Sequence, residues 1–254
     1  MPVPFKKDFN ITPSPNEMKQ RDEILKNSYN NLIYFGRAFL PNDFLKKSES
    51  APFHYHISKE MITTKPGARI CNIIPRGHGK SVMAKAAIMH KLCFSKTDEQ
   101  HFIAWVSEEQ GQAIDHLKYL RSHFENNKMI KYYFGTMDGG SVGKRWTEKD
   151  IVTAKGDRMI AKGTSQRLRG RAEVDVRYTG IVLDDFESEL NTKTPERRAE
   201  IKKWIVSTVF PALEESPGNE GWIWMAGTIV HYDSFLQMVV EGFNQAKRDG
   251  RDYP

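Results

Sequence analysis

Hydrophobic positions along the chain follow two different periods. Short runs rich in β-branched and aromatic residues predict strands over 69–74, 102–106, 178–184 and 222–226. Apolar residues at helical spacing predict helices over 80–94, 110–126, 195–210 and 234–247. Two further short runs, 151–153 and 158–161, predict a hairpin. Strands that alternate with helices indicate an α/β fold with a mainly parallel sheet and helices on both faces.

The first 50 residues have a different pattern. Residues 1 to about 15 are rich in proline and show no periodicity, which predicts an arm. Residues 14–38 are mostly polar with helical spacing, and Pro41 ends this predicted helix. Pro52 then begins a short helix predicted over 53–61. We therefore expect an arm and helical extension over 1–50 and a single α/β domain over 51–254.

Composition excludes several classes of protein. A hydrophobic fraction of 39% is sufficient for a sizeable core, and two cysteines cannot form a disulfide scaffold. The chain has no apolar run near the ~18 residues that cross a bilayer, and its first residues lack the apolar stretch of a signal peptide. The expectation is a soluble cytoplasmic protein.

The distribution of charged residues along the chain is more informative about function than the net charge. The 38 basic and 32 acidic residues give a net charge of +6. Seven basic and three acidic residues lie between positions 155 and 177, where Arg167, Arg169 and Arg171 surround one glycine. Such a cluster is typical either of a solvated loop or of a loop that contacts phosphate groups.

A glycine-rich segment, Arg76-Gly77-His78-Gly79-Lys80-Ser81, lies between the first predicted strand and the helix over 80–94. It differs from the phosphate-loop pattern Gly-x-x-x-x-Gly-Lys-[Ser/Thr] only at the first glycine, which is Ile74 here. Glycines allow the tight turn that directs N–H groups toward an anion, and the helix N-terminus adds its dipole. We therefore expect this segment to bind ATP, with Lys80 on the phosphates and Ser81 on Mg²⁺.

Acidic residues follow the strand predicted over 178–184, in the order Asp184-Asp185-Phe186-Glu187. A Mg²⁺–nucleotide site requires a carboxylate opposite the phosphate loop, and Asp184 is placed for that role by the end of a buried strand. A further carboxylate must orient the attacking water, and both Asp185 and Glu187 are candidates. Thr228, just after the last predicted strand, is a candidate sensor of the γ-phosphate.

Six segments in this order resemble the N-terminal ATPase domain of the large terminase subunit, the DNA-packaging motor of tailed bacteriophages. They lie within about 53–233 and include Pro52-Phe53-His54, the loop with Arg76, Trp105-Val106-Ser107, residues 160–170, Asp184-Asp185-x-Glu187 and Gly227-Thr228. The family's phosphate loop often lacks its first glycine, in agreement with Ile74. Many members carry Glu directly after the metal-binding Asp, whereas this chain has Asp185.

The resemblance implies a P-loop NTPase fold of the ASCE, or RecA-like, type and a Mg²⁺-dependent ATPase that moves double-stranded DNA into a procapsid. It implies ATP and Mg²⁺ as cofactors, His54 on the adenine side, Thr228 as the coupling residue and Arg76 as a catalytic arginine within its own subunit. The implied partners are duplex DNA, the portal protein, the small terminase subunit and a homo-oligomeric ring, expected to be a pentamer. The implied location is the host cytoplasm with no membrane association, and the family's C-terminal nuclease domain is expected to be absent from this chain.

Alternatives remain open at this level. The chain is also compatible with a helicase-like or other nucleic-acid-remodelling ATPase, or with a non-catalytic subunit that binds nucleotide or DNA. Arg167, Arg169 and Arg171 have two candidate roles: an arginine finger offered to a neighbouring subunit, or contacts to DNA phosphates.

Overall fold

The computed structural model describes residues 15–45, 49–96, 98–168 and 177–251. The arm over 1–14 and the residues Arg169 and Arg171 lie outside the described residues. The described α-helices are α1 (Pro15–Asn30), α2 (Leu32–Phe39), α3 (Pro41–Phe44), α4 (Pro52–Ile62), α5 (Lys80–Phe94), α6 (Gln110–Asn126), α7 (Lys128–Phe134), α8 (Pro195–Trp204) and α9 (Phe235–Arg248). The strands are β1 (Arg69–Ile73), β2 (Phe102–Ser107), β3 (Asp150–Val152), β4 (Arg158–Gly163), β5 (Gly180–Asp184) and β6 (Trp222–Gly227).

The six strands form one sheet in the order β1-β6-β5-β2-β4-β3. All neighbouring pairs are parallel except β3 and β4, which form the antiparallel hairpin predicted from the sequence. The strand β6 lies between β1 and β5, although it is the last strand along the chain. The carboxyl ends of β1, β6, β5 and β2 therefore meet at one edge of the sheet. The prediction of an α/β fold with a mainly parallel sheet is confirmed.

Helices cover both faces of this sheet. Alternate residues of β5 point to opposite faces: Val182 belongs to one core cluster, while Ile181 and Leu183 belong to the other. Buried side chains of α2, α4, α5, α6 and α7 pack on the first face, and those of α8 and α9 pack on the second. Because both faces are covered, the central strands are apolar throughout, as parallel sheets require.

The N-terminal helices share the first of these clusters. Phe35 and Phe39 of α2 are fully buried, and Phe35 makes ring contacts with His90 and Phe94 of α5. Burial of two aromatic side chains contributes several kcal/mol, roughly 2–3 for each. The helical extension predicted before residue 50 is present as α1–α3 and packs against α5, while the division at residue 50 itself stays a prediction.

Two predicted helices differ from the structure. The helix predicted over 14–38 is two helices, because the Asn31 side chain caps α2 by accepting a hydrogen bond from the Tyr34 N–H at 3.0 Å. The helix predicted over 195–210 is regular only to Trp204 and continues as a π-helical segment, Ile205–Val209, and a 3-10 turn, Phe210–Ala212. This second segment is rich in β-branched residues and includes Pro211, and both features disfavour regular α-helix.

Candidate active site

The glycine-rich segment forms a tight loop between the end of β1 and the start of α5. Gly77 and Gly79 have φ angles of +81° and +78°, in the left-handed region that residues with a Cβ rarely adopt. Gly79 is the N-cap of α5, and no side chain caps the first N–H groups of this helix. Uncapped N–H groups at the start of a 15-residue helix provide donors and a positive dipole end for an anion.

The Lys80 ammonium group is buried beneath this loop. Its Nζ donates hydrogen bonds to the Ile74 carbonyl and to the Thr228 Oγ1, both at 2.8 Å, and lies 3.6 Å from an Asp185 carboxylate oxygen. The Thr228 hydroxyl also donates to the Ile74 carbonyl at 3.0 Å. Lys80 thus joins the phosphate loop to the end of β6 and to the acidic segment after β5.

His54 supports the loop from the side of α4. Its Nδ1 accepts a hydrogen bond from the Ala51 N–H at 3.1 Å, so its Nε2 carries the proton and donates to the His78 carbonyl at 2.9 Å. A Cβ added at Gly79 would lie only 3.6 Å from the same Nε2. In this structure His54 holds the loop conformation, and its predicted adenine contact stays a prediction.

Asp184, the last residue of β5, is only 1% exposed. Burial raises the pKa of its carboxyl group to about 6, and the negative charge of Asp185 adds to this effect, while Ser81 and Lys80 oppose it. The Oδ2 atom lies 3.3 Å from the Nε2 of His116. Burial lowers the pKa of His116 to about 4, so at neutral pH this contact is not an ion pair.

The donor atoms near Asp184 suit a hard cation such as Mg²⁺. The Asp184 Oδ1 atom is buried without a hydrogen-bond partner, and so is the Ser107 hydroxyl at the end of the neighbouring strand. An unpartnered buried carboxylate oxygen costs roughly 1–3 kcal/mol or more unless a ligand satisfies it. In the part of the chain that the structure describes, no group of three or more His, Cys, Asp or Glu side chains is arranged to hold a metal ion by itself. A nucleotide-bound Mg²⁺ requires fewer protein ligands, because phosphate and water oxygens supply the rest.

Asp185 and Glu187 occupy different environments. Asp185 has a φ of +46°, and half of its side chain is exposed beside Lys80. Such a conformation in a residue other than glycine is uncommon and occurs preferentially at functional sites. Both carboxylate oxygens of Glu187 instead accept backbone hydrogen bonds at the start of α9, from Phe235 at 2.7 Å and Leu236 at 2.9 Å. Glu187 therefore anchors α9, and Asp185 is the carboxylate with open access.

A cleft of about 440 Å³ at the carboxyl edge of the sheet brings six of the predicted residues together. The predicted residues on its wall are Arg76, Ser81, Asp184, Asp185, Glu187 and Thr228. Sequence reasoning missed other polar residues on this wall, which are Ser107, Glu108, Gln112, Asp115, His116 and Ser188. A signal for Glu108 was present, because it follows an apolar strand just as Asp184 and Asp185 do.

The predicted arginine loop is described only in part. Arg167 is exposed and does not lie on the cleft wall, and the flanking Gln166 carbonyl accepts a hydrogen bond from the Trp204 indole at 2.9 Å. The Thr164 hydroxyl contacts the carbonyl oxygens of Ser107 and Phe186, so this loop begins at the same sheet edge as the cleft. The roles predicted for Arg167, Arg169 and Arg171 stay predictions.

A scan against protein-family models found no match for this chain, and a search of curated proteins by sequence also found none. Within the described ranges, the helices lack the length and hydrophobicity that a membrane-spanning segment requires.

Proposed function

We propose that this chain is a Mg²⁺-dependent ATPase with a P-loop NTPase fold of the ASCE type. The observation that carries the proposal is the meeting of an uncapped glycine loop, a buried lysine and a buried aspartate with an unpartnered oxygen at one sheet edge. The position of β6 between the phosphate-loop strand and the acidic strand supports the same fold. It brings Thr228 into contact with Lys80, as a residue that senses the γ-phosphate requires.

In this proposal each residue has a distinct role. The N–H groups of the loop and the Lys80 ammonium bind the phosphates, and this requires Lys80 to exchange its bonds to Ile74 and Thr228 for phosphate oxygens. Ser81 and Asp184 would hold Mg²⁺, which neutralises charge on the phosphates. Exposed Arg76 lies on the cleft wall, where its guanidinium group is placed to stabilise the transferred phosphoryl group.

Two carboxylates of the acidic segment, Asp185 and Glu187, are candidates to orient the attacking water. Of the two that the sequence offers, Glu187 is occupied by the N-terminus of α9, and Asp185 faces the cleft. Release of Glu187 would leave the first N–H groups of α9 without acceptors, a cost of roughly 1–3 kcal/mol for each. The structure therefore favours Asp185 over Glu187 within the acidic segment.

We further propose that this ATPase is the motor domain of a DNA-packaging terminase. The support for this finer proposal is the resemblance of six ordered segments, with the exposed Arg167 as a described member of the basic loop. Double-stranded DNA, the portal protein, the small terminase subunit and a homo-oligomeric ring are the partners that follow from it, and the host cytoplasm is the location.

Phosphate release from ATP, measured with and without duplex DNA, tests both levels of the proposal. We expect Mg²⁺-dependent release that increases when linear duplex DNA is added. Release that single-stranded DNA stimulates and duplex DNA does not would favour a helicase-like ATPase over a packaging motor. Nucleotide binding without any release would favour the non-catalytic alternative.

A further inference from the structure

The cleft contains a further carboxylate, Glu108, which directly follows a different strand. The strand β2 ends at Ser107 and pairs in parallel with β5, where Val106 stands opposite Leu183. One residue further along, Ser107 ends β2 and Asp184 ends β5, so Glu108 and Asp185 are the residues that directly follow these two neighbouring strands. Glu108 therefore emerges beside the acidic segment although it is distant from it along the chain.

A fixed hydroxyl group orients this carboxylate. The Ser188 hydroxyl donates a hydrogen bond to the Oε1 of Glu108. The same Ser188 oxygen accepts hydrogen bonds from the N–H groups of Leu190 and Asn191, both at 3.2 Å. Since those donors occupy its lone pairs, the single proton of Ser188 is directed to Glu108. Among the described residues no donor contacts Oε2 of Glu108, and the side chain lies on the cleft wall.

The other acids of the cleft differ from Glu108. Asp115 of α6 is 78% exposed, with a carboxylate oxygen 3.9 Å from the Lys118 ammonium. The Asp184 carboxylate is buried next to His116, and Glu187 anchors α9. Asp185 lies 3.6 Å from the Lys80 ammonium and has one methylene fewer than a glutamate, so its reach into the cleft is shorter by about 1.5 Å. Glu108 combines an oriented carboxylate, one oxygen without a donor and access to the cleft.

We propose that Glu108 is the general base of the hydrolysis, oriented by Ser188, and that Asp185 holds Lys80 in position. This inference rests on the proposed ATPase function. The water oxygen forms a bond to the γ-phosphorus, and the bond from that phosphorus to the β–γ bridging oxygen breaks, with its electron pair leaving on ADP. The water proton passes to Oε2 of Glu108 and then to solvent, so that ATP and water yield ADP, phosphate and a proton.

The decisive experiment compares Glu108→Gln with Glu109→Gln in the full chain. Glu109 is the exposed neighbouring residue, and its side chain makes no capping hydrogen bond to α6, so it is a matched control. We expect Glu108→Gln to bind a fluorescent ATP analogue as the unchanged protein does, while turnover falls roughly 10²–10⁴-fold. Glu109→Gln should retain full turnover.

Two further measurements distinguish a variant that has lost the hydrolysis step from one that has lost its fold. A complex of ADP with aluminium fluoride mimics the transferred phosphoryl group, and we expect Glu108→Gln to lose this complex but keep ATP. Ser188→Ala should lower turnover to a smaller extent, and Glu108→Asp should retain part of the activity because it keeps the charge with a shorter reach.

The outcomes distinguish the two proposals. If the unchanged protein hydrolyses ATP and Glu108→Gln hydrolyses it equally well, the assignment of Glu108 is wrong and the ATPase function stands. If Asp185→Asn alone abolishes turnover with ATP binding preserved, Asp185 is the base and Glu108 is not. If the unchanged protein binds no nucleotide, both proposals are overturned.

Discussion

The two ends of helix α5 differ in whether side chains satisfy the polar groups there: the C-terminal end has such partners and the N-terminal end does not. At its C-terminal end the Lys155 ammonium donates hydrogen bonds to the carbonyl groups of Leu92, Cys93 and Ser95. Asp157 lies next to this end, 1% exposed, and its oxygens accept hydrogen bonds from the His101 N–H and the hydroxyls of Ser95 and Thr153. Among the described residues at this end, the buried side-chain oxygens of Ser95, Thr153 and Asp157 all have hydrogen-bond partners.

The N-terminal end of α5 is left open. No side chain caps its first N–H groups, and Asp184, equally buried at 1% exposure, has an oxygen without a partner. Asp157 and Asp184 are therefore equally buried, but only Asp157 has hydrogen-bond partners for both of its carboxylate oxygens. A buried carboxylate with a complete set of donors stabilises the fold, whereas one without them is a site that a ligand can complete. The contrast supports a structural role for Asp157 and the Mg²⁺-binding role proposed for Asp184.

The largest effect is expected at the open end. We expect Lys80→Ala to reduce ATP turnover by roughly 10³-fold or more, because several kcal/mol of charge stabilisation on the phosphates is lost. Its free energy of unfolding should change by no more than about 1 kcal/mol. Phosphate release and urea denaturation measure the two quantities. Turnover like that of the unchanged protein would remove Lys80 from the nucleotide site.

At the closed end the effect on stability should dominate. Asp157→Ala leaves the His101 N–H and the Thr153 hydroxyl without an acceptor, while the Ser95 hydroxyl keeps the Leu92 carbonyl, and we expect the free energy of unfolding to fall by about 4 kcal/mol. Asp22→Ala, at an exposed position of α1, is the control and should change it by less than about 0.5 kcal/mol. Denaturation curves of the two variants give the comparison, and equal stabilities would contradict a structural role for Asp157.

His90, which lies in the C-terminal half of α5, makes the stability of the folded protein depend on pH. Its Nε2 contacts the carbonyl groups of Ser28 and Tyr29 at 3.1 Å, and burial lowers its pKa to about 4. The unfolded state binds a proton on His90 more readily than the folded state does. The stabilisation that neutral His90 contributes is therefore complete above pH ~6.5 and is lost as pH falls toward 4. The loss should reach up to about 3 kcal/mol.

The control for this titration is His90→Gln, which keeps an N–H donor and does not titrate. Other buried histidines, including His116, shift in the same direction, so the difference between the two proteins isolates His90. Thermal unfolding from pH 7 to 4 should show a smaller loss of stability for His90→Gln. Parallel curves for the two proteins would mean that His90 does not titrate in the folded state as assigned.

The smallest effect concerns Lys155. Its removal leaves the last carbonyl groups of α5 to water, and we expect Lys155→Ala to lower the free energy of unfolding by roughly 1 kcal/mol. Lys26→Ala, at an exposed position of α1, should have almost no effect. Urea denaturation at low and high salt checks both, and a loss as large as that of Asp157→Ala would mean that the closed end depends mainly on Lys155.

The residues at the open, N-terminal end of α5 could be predicted from the sequence more readily than those at the closed, C-terminal end. Gly79, Lys80 and Ser81 are consecutive, and Asp184 follows an apolar strand, so local patterns were sufficient to identify them. Glu108 also follows an apolar strand, but its position in the cleft, like that of His116, depends on the pairing of β2 with β5 and the packing of α6, which no local pattern predicts. The partners of Glu187 and Asp157 are likewise set by tertiary contacts with distant backbone groups.

For the fold, the alternation of strands and helices predicted the parallel sheet, and Lys80–Phe94 and Gln110–Asn126 have the predicted bounds. The break at Asn31 was readable in principle, since Asn is a preferred N-cap residue. The end of regular α-helix before Pro211 was also readable from the β-branched residues and the proline, whereas the π-helical geometry after Trp204 was not.

The most direct test of the open site is a calorimetric titration of ATP into the unchanged protein and into Asp184→Asn, each with Mg²⁺ and with EDTA. The asparagine keeps the shape of the side chain and removes the negative charge that a cation needs. We expect Mg²⁺ to tighten ATP binding by about 10-fold or more in the unchanged protein and to have little effect in Asp184→Asn. An equal effect of Mg²⁺ on both proteins, or no binding of ATP to the unchanged protein, would contradict the assignment of this cleft.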